Sequence, residues 1–270
     1  MIKSVGIMGC GWLGAPLGKR LLNEGYQVKG TTTSSDKLSA LSAIGITPFL
    51  VQIQETEISG HLHAFLKNLD ILILNIPPRL RNTAAGSYIK KMNLLLDHMK
   101  NIGTPQLLFV SSTSIYGRVN GKITEDTSPK PVTVSGKELL QTETLFTAEK
   151  QLGTTIIRFG GLIGGKRHPV FQLSGRTGLK NGAELINLIH RDDCIHMIST
   201  ILKYGYWNEV FNGVYPYHPP KREYYVEEAV KRKLPVPVYD PNEVPAVSKK
   251  HILSQNFFVK KHQLYTSIVS

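Results

Sequence analysis

The chain has 270 residues, 41% of them hydrophobic, and 32 Lys and Arg against 20 Asp and Glu give a formal net charge of +12. That apolar content allows a sizeable core and excludes wholesale disorder, while no apolar run approaches the roughly 18 residues of a membrane span. The positive excess divides evenly between residues 1–130 and 131–270, and the clusters Lys221-Arg222 and Lys231-Arg232-Lys233 are interleaved with glutamates, as on a solvated helix face, so no nucleic-acid partner is expected.

The opening MIKSVGIMGCGWLG is short and glycine-rich, which predicts a first strand rather than a leader. Its SVGIM run leads into Gly9, Gly11 and Gly14, spaced G-x-G-x-x-G, and then into a helix over Gly14–Asn23. The three glycines meet different steric needs. Gly9 makes the tight turn, Gly11 lets the backbone approach a pyrophosphate, and Gly14 lets helix and strand pack closely. The helix start, with Trp12 and Leu13 between the last two glycines, offers free N–H groups and a positive dipole end to phosphate. Pro16 sits in the first helical turn, where its missing N–H costs nothing.

The second strand, YQVKGTT, ends in TTSSDK. An acid normally stands there to hold the ribose hydroxyls of NAD. Here the place falls at Thr32 or Thr33, with Ser34 following and Asp36 late. Hydroxyls with Lys37 nearby favour NADP over NAD, although the same residues could simply cap a helix. Further strands are predicted at TPFLVQI, DILILNIP, QLLFVSS and TTIIRFG, with helices at Lys37–Ile44, Leu62–Asn68, Ser87–Asn101 and Gly136–Leu152. Strands too apolar to have a wet face, alternating with helices, predict a Rossmann-type doubly wound parallel sheet. Asn75 and Pro77 end the fourth strand, where the backbone would pass the cofactor; Pro77-Pro78 also stops a strand. Beyond residue 160 the rhythm breaks into glycine, proline and tyrosine (GGLIGGKRHP, NGVYPYHPPKREYY). The expected division is therefore a dinucleotide-binding domain over 1–160 and a smaller, partly interwoven substrate region over 161–270.

The order of FVSSTSIYG (Phe109–Gly117), EDTSPKPVT, SGKELLQTE, RFGGLIG (Arg158–Gly164), LIHRDDC (Leu188–Cys194) and VFNGVYP resembles the extended short-chain dehydrogenase/reductase superfamily, in its epimerase/dehydratase branch and among its short atypical members. In that superfamily a tyrosine exchanges the substrate proton and a lysine four residues later binds the nicotinamide ribose. A Ser or Thr at the end of the fifth strand binds the substrate oxygen. The resemblance places Ser112 at the Ser/Thr position, with Ser111 on the cofactor side and Thr113 on the substrate side. Lys137 falls at the lysine, and Thr133 stands where the tyrosine should be.

A phenol beside a lysine can be tuned from a pKa near 10 toward neutrality, whereas an aliphatic hydroxyl cannot. Losing a positioned proton donor costs about 10²–10⁴ in rate. Among the 11 tyrosines only Tyr217 has a lysine four residues on, and the prolines of YHPPK forbid the helix that would align them. Tyr116 is expected to be packed; Tyr224 and Tyr225 could reach the site in space.

The resemblance also points to His190 and Arg191 near the substrate, and to Arg167, His168 and Arg176 as a clamp for a phosphorylated or nucleotide-linked small molecule, since arginine matches phosphate oxygens in pairs. Ordinary surface charge is the alternative. Asp192 or Asp193 is expected to cap the following helix. Cys10 and Cys194 form no disulfide framework and suit a reducing cytoplasm, and the nine histidines lack zinc spacing. The resulting expectation is a cytoplasmic NAD(P)-binding oxidoreductase or epimerase-like enzyme with altered acid–base chemistry, with homodimerisation implied by the resemblance. The alternative is a non-catalytic dinucleotide sensor or scaffold.

Overall fold

The computed structural model describes residues 2–78, 86–103, 105–242 and 250–269. Its sheet is built from β1 (Ser4–Met8), β2 (Gln27–Thr32), β3 (Thr47–Ile53), β4 (Ile58–Gly60), β5 (Ile71–Leu74), β6 (Gln106–Ser112), β8 (Thr154–Phe159) and β11 (Val210–Gly213). Their spatial order is β11-β8-β6-β5-β1-β2-β3-β4, parallel throughout except for the β3–β4 edge pair. All six predicted strands form, and the doubly wound sheet is as expected.

Two-residue alternation sends side chains to opposite faces. Val5, Ile7, Ile71, Ile73, Leu108 and Ile157 meet α1 (Gly14–Asn23), α2 (Leu38–Ala43) and α7 (Arg191–Tyr204) in one core. Leu72, Leu74, Leu107 and Phe109 meet α3 (Leu62–Leu66), α4 (Tyr88–Ile102) and α5 (Val134–Ala148) in the other. Strand order reverses between β1 and β5, and ligands of open α/β sheets sit in the crevice at that switch point. The glycine loop and Asn75 both emerge there.

The short strands β7 (Gly121–Ile123), β9 (Gly161–Ile163), β10 (Leu188–His190) and β12 (Lys250–Ile252) form two small parallel pairs, β9–β10 and β7–β12. Together with α6 (Val170–Leu173), α8 (Lys221–Lys231) and α9 (Gln255–Val259) they complete the chain. A third core of Ile163, Val170, Leu188, Tyr224, Tyr225 and Ile268 holds this C-terminal lobe together. A cut at residue 160 does not follow the packing, because β11 extends the main sheet, α7 covers it, and β12 pairs with β7.

Candidate functional site

The loop from β1 to α1 is shaped from its peptide groups outward. Gly9 adopts φ +106°, and a Cβ there would stand 2.6 Å from the carbonyl oxygen of Asn75. A Cβ on Gly14 would overlap the Gly9 carbonyl, whereas one on Gly11 would meet nothing within 4 Å. The loop is braced from behind: Gly9 N–H donates to Thr31 Oγ1 (3.1 Å), and Asn75 Nδ2 donates to Gly9 O (3.2 Å). Cys10 turns into the core, where burial pushes its thiol up to about 12. Helix α1 has no side-chain cap, and the amides of Trp12 and Leu13 have no backbone acceptor among the described residues. An open face at Gly11 below uncapped amides fits the pyrophosphate of a dinucleotide. Asn75 shapes this cradle through its side chain, and Pro77 is exposed beyond it.

At the end of β2, Ser34 N–H donates to Thr32 Oγ1 at 3.2 Å, Thr33 is exposed, and Ser34 Oγ bonds Asp36 Oδ1. That bond holds the Asp36 carboxyl below its usual range. The hydroxyls of Thr32 and Ser34 are thus partly engaged within their own turn, and a carboxylate lies nearer to them than the spacing implied.

Adjacent residues of β6 diverge. Ser111 donates to Glu143 Oε1 at 2.6 Å, and Glu143 pairs with Arg158 at 2.7 Å in the buried layer under α5. The guanidinium also donates to Tyr116 OH at 2.9 Å, which bonds Asn212 Oδ1 at 2.9 Å. Ser111 therefore has its hydroxyl committed to this internal network rather than turned toward a cofactor. Tyr116 is packed as expected, and burial holds its phenol above the ordinary range. Ser112 ends the strand half-buried, its Oγ accepting from Ser114 N at 3.2 Å. This bond leaves the Ser112 O–H as a donor.

Thr133 is the N-cap of α5. Its Oγ1 accepts from Gly136 N at 3.1 Å, in extended backbone just before the helix. The resemblance placed a proton-transferring residue here; the structure uses the hydroxyl as a cap, and neither chemistry nor position makes it an acid. Lys137 is exposed in the first turn, its N–H bonded to Thr133 O at 3.0 Å. An added Cβ on Gly136 would lie 3.2 Å from Ser114 O, so this helix start packs directly against the turn after Ser112.

The expected C-terminal clamp separates into different environments. His168 is buried, with Nδ1 accepting from Val170 N (3.2 Å) and Nε2 meeting Tyr224 OH (2.9 Å), which itself donates to Ile268 O. Burial pushes the ring down to about 4. It is a neutral strut of the third core, not a substrate ligand. Arg176 is exposed on the lobe. His190 is the cap of α7, its Nδ1 accepting from Asp192 N at 3.2 Å, and so takes the role expected of Asp192 or Asp193. Asp193 is buried and instead accepts the amides of Tyr265 and Thr266, both at 3.0 Å. Arg167 and Arg191 both lie over the ring of Trp12, at 4.9 and 5.3 Å. The fold thus brings these two arginines to the glycine loop.

Sequence reasoning missed a cleft of about 390 Å³ beyond Ser112. Thr113, Arg118, Glu184, Lys221, Tyr225 and Lys250, with Asn187, contribute its polar lining. Thr113, Lys221 and Tyr225 lie in stretches that the sequence singled out; Arg118, Glu184 and Lys250 do not, and the β7–β12 pairing helps to bring them together.

The comparisons with known proteins agree with this geometry. Residues 9–203 match a family described as NAD(P)H-binding. Protein YeeZ of Escherichia coli K12 is 32% identical over 230 residues, covering 84% of this chain and 83% of that protein. A UDP-glucuronic acid 4-epimerase from Bacillus cereus in complex with NAD superposes with TM-score 0.76 at 18% identity, covering 98% of this chain and 92% of its own. A short-chain dehydrogenase/reductase superfamily protein from Agrobacterium tumefaciens with bound NAD gives TM-score 0.76 at 15% identity, over 98% and 93%. By that family match the chain belongs to the NAD(P)H-binding family, and its fold is the one these epimerase and short-chain dehydrogenase/reductase structures share.

Proposed function

We propose that the chain is an NAD(P)H-dependent oxidoreductase or epimerase-like enzyme acting on a small molecule held beside Ser112 and Thr113. The observation that carries this reading is the glycine loop, open at Gly11 under uncapped amides at the switch point of the sheet; a polar cleft lined by Thr113 lies beyond the end of β6. The amides of Trp12 and Leu13 would take the pyrophosphate, with Arg167 and Arg191 adding positive charge from across Trp12. Lys137 would approach the nicotinamide ribose. The bound nicotinamide would supply or accept the hydride. Ser112 would orient the substrate oxygen through its remaining O–H. With Thr133 committed to a cap and Tyr116 to the core, the proton would come from water or a substrate group. Thr33 and Lys37 support NADP, and Asp36, held at Ser34, is the residue that opposes it.

Titration of the purified protein with NADPH and, separately, NADH, followed by nicotinamide fluorescence, tests this reading. Micromolar binding that is lost in Gly11→Asp supports it. Tighter NADH binding would transfer the ribose role to Asp36. Binding without turnover across a broad panel of carbonyl and hydroxyl compounds would favour the sensor reading. Failure to bind either dinucleotide would overturn both.

A further inference from the structure

The cleft beyond Ser112 has an uneven charge. Three cations line it, Arg118, Lys221 and Lys250, against one carboxylate, Glu184. Glu184 is already engaged: its Oε2 lies 2.5 Å from Lys221 Nζ, and its carbonyl accepts the Lys221 amide at 2.8 Å. Among the described residues no carboxylate lies within ion-pair distance of Lys250 or Arg118.

Lys250 is the more telling of the two. It opens β12 and is half-buried, and its ammonium donates to Thr113 O at 3.1 Å and to Gly117 O at 3.2 Å. Those two carbonyls bracket the turn that follows Ser112, so the charge is fixed beside the residue expected to orient the substrate oxygen. An ammonium has three N–H donors, and two are used here. Burial disfavours the charged form and lowers the Lys250 amine, an effect that the Glu184 carboxylate, itself paired with Lys221, offsets only in part. Carbonyl dipoles offset only part of this cost, and an anion entering the cleft would offset more. Arg118 is exposed at the edge, where it can attract the anion before it is desolvated, and Leu188 and Ile252 give the cleft apolar wall for a carbon skeleton.

We propose that this cleft is an oxyanion-recognition site, in which Lys250, with Arg118 at its edge, holds a carboxylate or phosphate group of a compact substrate. The inference rests on reading the cleft as the substrate side of an NAD(P)H enzyme. It moves substrate charge recognition away from Arg167, His168 and Arg176, and onto residues that no motif marked.

Calorimetric titration of the full chain with sodium oxalate and, separately, with inorganic phosphate tests it, at fixed ionic strength with chloride as the control anion. The expected result is millimolar or tighter binding of at least one probe, weakened about tenfold or more in Lys250→Met and about threefold in Arg118→Ala. Because Lys250→Met also removes two hydrogen bonds to the turn, Lys250→Arg serves as a rescue that keeps the charge, and Arg118→Ala changes only an exposed side chain. NADPH affinity, measured in the same samples, should stay within about twofold of the parent. Oxalate binding alone assigns the site to carboxylates, and phosphate binding alone to phosphates. If neither probe binds up to about 20 mM, or if Lys250→Met binds as the parent does, the proposal is overturned. Loss of NADPH binding in the parent would fail the cofactor reading separately, whatever the anion result.

Discussion

Two loop-to-helix junctions border the candidate site, and their helix starts are finished in opposite ways. At α1 the cap position is Leu13, which has no side-chain hydrogen bond to give, and the loop behind it is braced by Thr31 and Asn75 so that its amides face outward. At α5 the cap is Thr133, whose hydroxyl satisfies Gly136 N. Every helix start has surplus N–H donors, and what distinguishes a ligand site is that the protein leaves them unanswered while holding them rigid. The first junction leaves its donors open; the second consumes one internally, and with it the side-chain oxygen at the position where proton transfer was expected.

Substitutions at these junctions break or sharpen the contrast. Gly11→Asp should cut dinucleotide affinity at least about a hundredfold, by placing charge and bulk where phosphate would sit, with little change in melting temperature because the space is open. Gly14→Ala is the converse: its methyl collides with the Gly9 carbonyl, so the protein should lose roughly 1–3 kcal/mol of stability in a urea melt. Acid should act on neither junction but on the C-terminal lobe. His168 titrates near 6.5 when unfolded and is pushed down to about 4 by burial in the native state. The unfolded chain therefore binds a proton that the native state refuses. Stability is full above that unfolded value and falls as pH drops through the window toward the folded one, by about 1–3 kcal/mol, and His168→Gln should flatten the slope. Thr133→Ala should lower stability by about 1 kcal/mol, near 2–4 °C, and leave dinucleotide affinity unchanged, as expected of a cap. The smallest effect is expected for Lys137→Met, about a two- to fivefold loss of NADPH affinity, since an exposed ammonium gains little from one contact.

The sheet was legible because its central strands β1, β5, β6 and β8 are buried on both faces and carry nearly continuous apolar runs. The pieces β4, β7, β9, β10, β11 and β12 are three or four residues long, too short to show any period, and they went unpredicted. The glycine loop could be read to the residue, since each glycine answers a steric demand that no other side chain meets. The sequence predicted this helix from Gly136, two residues inside its observed start at Val134, which left Thr133 in the loop without showing that it caps. Ser111 and Ser112 look equivalent in a motif, yet strand alternation gives one to Glu143 and the other to the outer end of the strand. Histidine was the least legible residue: His168 and His190 became a strut and a cap, uses that depend on which neighbours the fold supplies. Lys250 lay hidden because its relation to Thr113 spans 137 positions.

The Glu143–Arg158 pair has a mechanical consequence for the helix that carries Lys137. It joins the middle of α5 to β8 through a bidentate grip, and Ser111 adds a second tether from β6. A helix pinned at that point can pivot but cannot slide along its axis without stripping a buried charge of its partner. The axial register of α5, and with it the height of its first turn beside the end of β6, is therefore set by a buried ion pair rather than by the exposed face of the helix.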